Sequence, residues 1–193
     1  MKIAVAFNTP FSGYTHDDHV AQMEHEFDER EPEMEYQVGY ALEQNGHTIR
    51  YAGIRDDVNA ELDSLREFGP ELVFNCAEGF GDQDRLDYLL PALLEAEGYN
   101  YTGSPPLALM VTRNKGMSKK ILAHHGVNVP MFRTYRSGDP VVEEPDMPFP
   151  LFVKPLRMDA SMGIALRSVV KDADALAERV KFIHEKIGGA AIA

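Results

Sequence analysis

A lysine at the end of an apolar run, followed by a loop of small residues, is where this chain could do chemistry. The run is Phe149-Pro150-Leu151-Phe152-Val153-Lys154-Pro155, and the loop is Asp159-Ala160-Ser161-Met162-Gly163. A strand holds an ammonium group at a fixed point, and a loop of Ala, Ser and Gly lets backbone N–H groups approach the same anion. Upstream stand Tyr101-Thr102-Gly103-Ser104 and Asn114-Lys115, which bring a second lysine to a helix start. Together they suggest a nucleotide-triphosphate site. Ser161 has no paired histidine in the pattern, so its place is conformational and not nucleophilic.

Two acidic residues, Glu78 and Asp87, are candidates for holding the ammonium group of an amino acid. They follow a strand, and ligand clefts of α/β sheets lie at the carboxyl ends of their strands. His16-Asp17-Asp18-His19, with His25 nearby, invites a metal proposal. A run as acidic as Asp17 to Glu35 reads instead as a solvated helix or loop. No metal ligand is assigned within the chain.

The elements that must position these groups alternate. Ile3 to Phe7 is an apolar strand, Met34 to Asn45 carries a helical period closed by Gly46, and Thr48 to Ala52 is a second strand. Asp57 can cap a helix that buries Val58, Leu62 and Leu65. Leu72 to Cys76 is a third strand and Asn100-Tyr101-Thr102 a short fourth. Between them Leu86, Leu89, Leu90, Leu93 and Leu94 form a helical stripe that Pro91 should kink or restart. Strands alternating with helices predict a Rossmann-like parallel sheet covered on both faces, over residues 1–109.

A second unit, residues 110–193, is smaller and α+β. Asn114 caps a helix with Met117, Ile121 and Leu122 turned inward, and Phe132–Tyr135 is a strand. Leu151–Val153 and Ile164–Val170 flank the Lys154 loop as an antiparallel hairpin. Asp172 caps a helix burying Ala175, Leu176, Val180 and Ile183, and Ala190–Ala193 begins a last apolar strand. A strand in that position suggests a cut through a domain. It also suggests an open edge that would recruit another chain weakly.

Composition bounds the partners. The 193 residues include 44% hydrophobic and 26% charged types, enough for a real core. A net charge of −12 argues against nucleic acid or an anionic membrane as the main partner. The one cysteine, Cys76, excludes an internal disulfide and fits a reducing compartment. No apolar run is long enough to span a bilayer, and Met1–Phe7 is a strand and no signal peptide, so a cytoplasmic location is expected.

In this order the motifs resemble the ATP-grasp superfamily, and within it the D-alanine–D-alanine ligase-like group. The matching landmarks run from about Leu72 onward. They are Val73-Phe74-Asn75 with Ala77-Glu78-Gly79, Pro91-Ala92-Leu93-Leu94-Glu95, Tyr101-Thr102-Gly103-Ser104, Asn114-Lys115, Gly126-Val127-x-Val129-Pro130, and Val153-Lys154-Pro155 leading to Ser161-x-Gly163-Ile164. The resemblance implies an N-terminal Rossmann-like substrate domain and a central domain, with ATP held between the central domain and a third. It implies that Lys115 and Lys154 contact ATP phosphates and that Asp159 to Gly163 closes over the γ-phosphate. The implied reaction is carboxylate–amine ligation through an acyl-phosphate, with ATP and Mg²⁺ as cofactors and an amino acid as substrate. It also implies a homodimer through the N-terminal domain, and a place in cell-wall peptidoglycan synthesis.

The loop Asn8 to Gly13 lacks the Ser-x-Glu pattern that orients the first D-alanine in true D-alanine ligases, and the carboxylate and amine that are joined stay open. The family's adenine-binding residues and Mg²⁺ carboxylates lie beyond residue 193, so the chain alone is expected to be inactive. Two alternatives stand beside this reading: a non-catalytic nucleotide- or amino-acid-binding module, and an ATP-grasp ligase for another amino acid or peptide.

Overall fold

The computed structural model describes residues 1–10, 13–29, 31–55, 58–80, 83–141 and 146–193. Asp57, and Phe11 and Ser12 of the first loop, lie outside the described residues. The chain divides into two compact units, Met1–Leu109 and Met110–Ala193.

The first unit is built on a parallel sheet of β1 (Lys2–Asn8), β2 (Thr48–Ile54) and β3 (Leu72–Asn75), in the order β2-β1-β3. Lys2 stands opposite Thr48 and Asn8 opposite Ile54, while Ile3 to Ala6 stand opposite Leu72 to Asn75. The central strand must be apolar on both sides, which is why Ile3 to Phe7 forms an unbroken buried run. Alternation then sorts it. Ala4 and Ala6 join Leu62, Leu65, Leu90 and Leu94 on one face, under α3 (Val58–Phe68) and α4 (Leu89–Glu97). Val5 and Phe7 join Met23, Tyr36 and Tyr51 on the other, under α1 (His16–Glu29) and α2 (Met34–Gln44).

The acidic run expected as a solvated helix is only partly that. In α1 the inward positions are His19, Met23 and Glu26, all buried. Thr15 starts the helix, donating through its hydroxyl to Asp18 Oδ2 at 2.7 Å and accepting from Asp18 N at 3.3 Å. Against β2, α2 comes so close that a Cβ on Gly39 would lie 2.1 Å from Tyr51 Oη.

Pro91 marks a restart, as the sequence suggests: a 3₁₀ turn at Asp84–Leu86 ends before it, and α4 begins anew at Leu89. It sits in the first turn of α4, where its missing N–H has no partner to lose. The expected fourth strand reduces to one parallel bridge, Val73 with Tyr101, because Gly103 turns at φ +104° and Ser104-Pro105 carries the chain away.

The second unit begins inside α5 (Pro106–Thr112), at Met110. Asn114 caps α6 (Lys115–His124), its side chain accepting from Met117 N at 3.1 Å, as the sequence predicts. The inward face does not follow the prediction. Met117, Ile121 and Leu122 are exposed, at 48%, 40% and 43%, and Gly116 is the buried position. Without a side chain it lets the helix approach Thr134 and Leu156, where a Cβ would meet them at 3.1 and 3.5 Å.

Beneath lies a sheet of β4 (Thr134–Tyr135), β6 (Lys154–Pro155) and β8 (Ala191–Ile192), in the order β4-β8-β6. The open edge expected at Ala190–Ala193 is therefore absent: β8 is the middle strand, paired on both sides, with Ala191 and Ile192 buried. The flanking hairpin forms, but over shorter stretches. β5 (Leu151–Phe152) pairs with β7 (Val169–Val170), and a 3₁₀ turn at Leu166–Ser168 replaces the early part of the expected strand. At buried Val153 the chain leaves this pair for the other sheet. Asp172 caps α7 (Ala173–Phe182) by accepting from Ala175 N at 2.8 Å, and a π turn (Ile183–Ile187) extends it. Leu176, Val180 and Ile183 pack on Tyr135, Val153, Val170 and Ala191.

Candidate functional site

Strand geometry places Lys154. Pro155 pairs with Ala191, which pairs with Tyr135, and the latter two are buried against α7. Lys154 pairs with Ile192 and so shares the opposite face with it and Thr134. That is the face on which α6 lies, anchored by Lys115 N donating to Leu156 O at 3.2 Å. The two lysines thus belong to a strand and to the helix that covers it.

A third cation joins them. Burial first, then the Lys154 ammonium, lowers the pKa of Lys119. Lys119 Nζ donates to Pro130 O at 3.2 Å and sits 5.3 Å from the Phe132 ring centre. It is four residues after Lys115, the spacing that puts two side chains on one helix face, and this periodicity was the signal that could have found it. Beneath the same helix, Asn114, Lys120, Arg136 and Arg157 line a cleft of about 520 Å³.

The small-residue loop is tightly turned. Ala160 and Ser161 have φ of +47° and +58°, a region costly for residues with a Cβ. Met162 N donates to Asp159 O and Ile164 N to Ser161 O, both at 3.0 Å. Gly163, at φ +70°, has no room for a side chain, since a Cβ would lie 2.9 Å from Ile187.

Both ends of the loop are fastened. Lys115 Nζ donates to Met158 O at 2.5 Å and lies 3.4 Å from Asp159 Oδ1. Arg113 Nη1 lies 3.2 Å from Asp159 Oδ2. At the far end Arg179 donates to Gly163 O, and to Ser168 Oγ at 2.9 Å. The Arg179 guanidinium lies 4.6 Å from the Phe182 ring centre, and burial lowers its pKa. Neither arginine carries a motif. Each is separated from its loop partner by sixteen residues or more, and only the folded chain shows the pairing.

In the first unit, Glu78 follows β3 and is exposed. Its backbone is held by Asn8 at the end of β1: Asn8 Oδ1 accepts from Glu78 N at 2.8 Å and Gly79 N at 3.1 Å, and Asn8 Nδ2 donates to Gly79 O at 3.3 Å. Burial, then Glu33, Glu26 and Glu78, raise the pKa of Glu35. Burial, then Glu35, pushes the Cys76 thiol up to about 11, so it is an inert packing group. Asp87 is half-buried in the turn before α4.

His16 and His19 are used structurally. His16 Nδ1 accepts from Tyr51 N at 3.1 Å, and His19 Nδ1 meets Tyr36 Oη at 3.2 Å. Among the described residues no three of His, Cys, Asp and Glu come together as a metal site. Among them, too, no helix is long and apolar enough to cross a membrane.

No protein-family model matches the sequence. A D-alanine–D-alanine ligase of Syntrophotalea carbinolica is 33% identical over 162 residues, 81% of this chain and 50% of that protein. That of Desulforudis audaxviator is 34% identical over 141 residues, 70% of this chain and 43% of that protein. An uncharacterised protein of Sinorhizobium fredii is 38% identical over 115 residues, 60% of this chain and 32% of that one. The chain thus spans between a third and a half of the length of these relatives. A crystal structure of D-alanine–D-alanine ligase from Bacillus anthracis covers the whole chain with 56% of its own length, at a TM-score of 0.69 and 21% identity. The same enzyme complexed with ATP gives 0.67 and 20%.

Proposed function

Because this chain resembles the D-alanine–D-alanine ligase-like group of the ATP-grasp superfamily in sequence and in fold, we propose that it works in an ATP-dependent carboxylate–amine ligase. The observation that carries this reading is the placement of Lys154 on a sheet face covered by the helix that bears Lys115 and Lys119. Three ammonium groups on one strand and one helix suit a polyphosphate, whose charge must be neutralised before phosphoryl transfer. The residues present fit a nucleotide's phosphates. ATP would supply the activated phosphoryl group, which the substrate carboxylate accepts before an amine displaces it as phosphate.

In this proposal Lys115 and Lys154 bind phosphate oxygens, and Asp159, Ala160, Ser161, Met162 and Gly163 form the covering loop. Mg²⁺ is the accompanying cation, and no three carboxylates of the described residues are gathered to hold it. The first unit takes the amino-acid substrate. Glu78 after β3 and Glu35 in the first turn of α2 suit its ammonium group, and Asp87 is the second candidate. A cytoplasmic location follows from the reaction's need for ATP.

Titration of Mg-ATP into the protein tests the reading, with Lys154→Ala beside the wild type. Binding by the wild type that the substitution weakens about tenfold or more is expected, the loss of one charge-assisted phosphate contact. Equal affinity in the two proteins would remove the phosphate role of the strand lysine.

A further inference from the structure

Resting on the nucleotide reading above, we propose that Arg113 and Lys115 form an anion subsite for one nucleotide phosphate, and that Asp159 fills this subsite until the nucleotide arrives. The two oxygens of Asp159 are divided between the two cations, Oδ2 to Arg113 at 3.2 Å and Oδ1 to Lys115 at 3.4 Å. A bridging carboxylate of this kind presents the same pair of acceptor oxygens as one edge of a phosphate.

The three partners are not equivalent. The side chains of Arg113 and Lys115 are 14% and 23% exposed, whereas Asp159 is 60% exposed. The cations are therefore set into the wall, one just before α6 and one in its first turn, and the anion is an outer plug. Their charges need a counter-ion whether or not ligand is present, and the loop supplies one. The nucleotide's polyphosphate carries more negative charge and more acceptor oxygens than one carboxylate, so it displaces Asp159.

The plug also explains the shape of the loop. Ala160 and Ser161, directly after Asp159, both hold left-handed backbone conformations that L-residues leave when free to do so. With Gly163 fixed to Arg179 at one end, the Asp159 pairs supply the second anchor that keeps the segment bent. Displacing Asp159 releases that anchor and frees residues 159–162 to rearrange over the phosphates. The nucleotide thus competes with the loop for the same cations and, by winning, unlocks it.

The experiment compares ATP affinity and nucleotide-free amide exchange of residues 159–164 in the wild type, Asp159→Asn, and Asp159→Asn combined with Arg113→Gln. Asp159→Asn should bind ATP about threefold to tenfold more tightly than the wild type, the range for two solvent-screened ion pairs removed as competitors. It should also exchange these amides faster without nucleotide. Adding Arg113→Gln should cancel most of the gain. Equal or weaker ATP binding by Asp159→Asn, with the wild type binding normally, overturns the plug while leaving the nucleotide site standing. No ATP binding by either protein overturns the nucleotide reading itself, and the subsite with it.

Discussion

The segment after Asn75 in the first unit and the segment after Pro155 in the second both leave strand ends, yet they are fastened by different chemistry. Asn8 holds the first through three hydrogen bonds of a neutral amide, and Asn75 Oδ1 adds a fourth from Ala77 N at 3.0 Å. Ion pairs and a single ammonium-to-carbonyl bond hold the upstream end of the second. An amide that satisfies backbone groups offers an incoming anion nothing to exchange. An ion pair offers a vacancy as soon as a stronger anion arrives. One loop is therefore a fixed wall and the other a movable one.

The largest way to break this contrast is to remove the neutral anchor. Asn8→Ala leaves two backbone N–H groups without their acceptor and should cost about 2–3 kcal/mol of stability by urea denaturation, alike at low and high salt. A strong salt dependence of that cost would show the first loop to be electrostatic after all.

Acid should act on the first unit almost as strongly, through a buried neutral group under the same sheet. Burial holds the His19 pKa at about 4 when folded, below its ordinary value. The unfolded chain takes up the proton first, so stability is complete above about pH 6.5, falls as the pH drops toward 4, and is roughly 2 kcal/mol lower by about pH 5. The drop should be absent in His19→Gln, and a persisting drop would assign it to other groups.

On the ionic side, Lys154→Ala should lower ATP affinity about tenfold, close to 1.4 kcal/mol, while leaving the urea midpoint of the first unit unchanged. The smallest effect is the salt response of the second loop. Raising ionic strength should speed amide exchange at residues 159–164 by a factor equivalent to less than about 1 kcal/mol, with no change at residues 77–79. Equal responses of the two loops would erase the distinction.

Which parts of this were legible in the sequence follows from which forces are local. Caps at Asn114 and Asp172 were readable because a cap needs only its own turn. The central strand was readable because burial on both faces demands an unbroken apolar run. The first helix was obscured because two of its inward positions are His19 and Glu26, whose polarity mimics a solvated face. The start signal Thr15-x-x-Asp18 was there to be seen.

Inward residues of α6 were misassigned because Gly116, and no large apolar side chain, makes the close contact. At the candidate site the two lysines came from motif order. Arg113 and Arg179 did not, since each acts on a partner that only the fold brings near.

The position of β8 between β4 and β6 has a consequence for biosynthesis. A ribosome releases residues 134–135 and 154–155 well before 191–192, so the two outer strands emerge with no neighbour to pair with. Until the middle one is threaded between them, each nascent polypeptide carries two unsatisfied backbone rows in a crowded cell. This small sheet can therefore close only after residues 191–192 have been made.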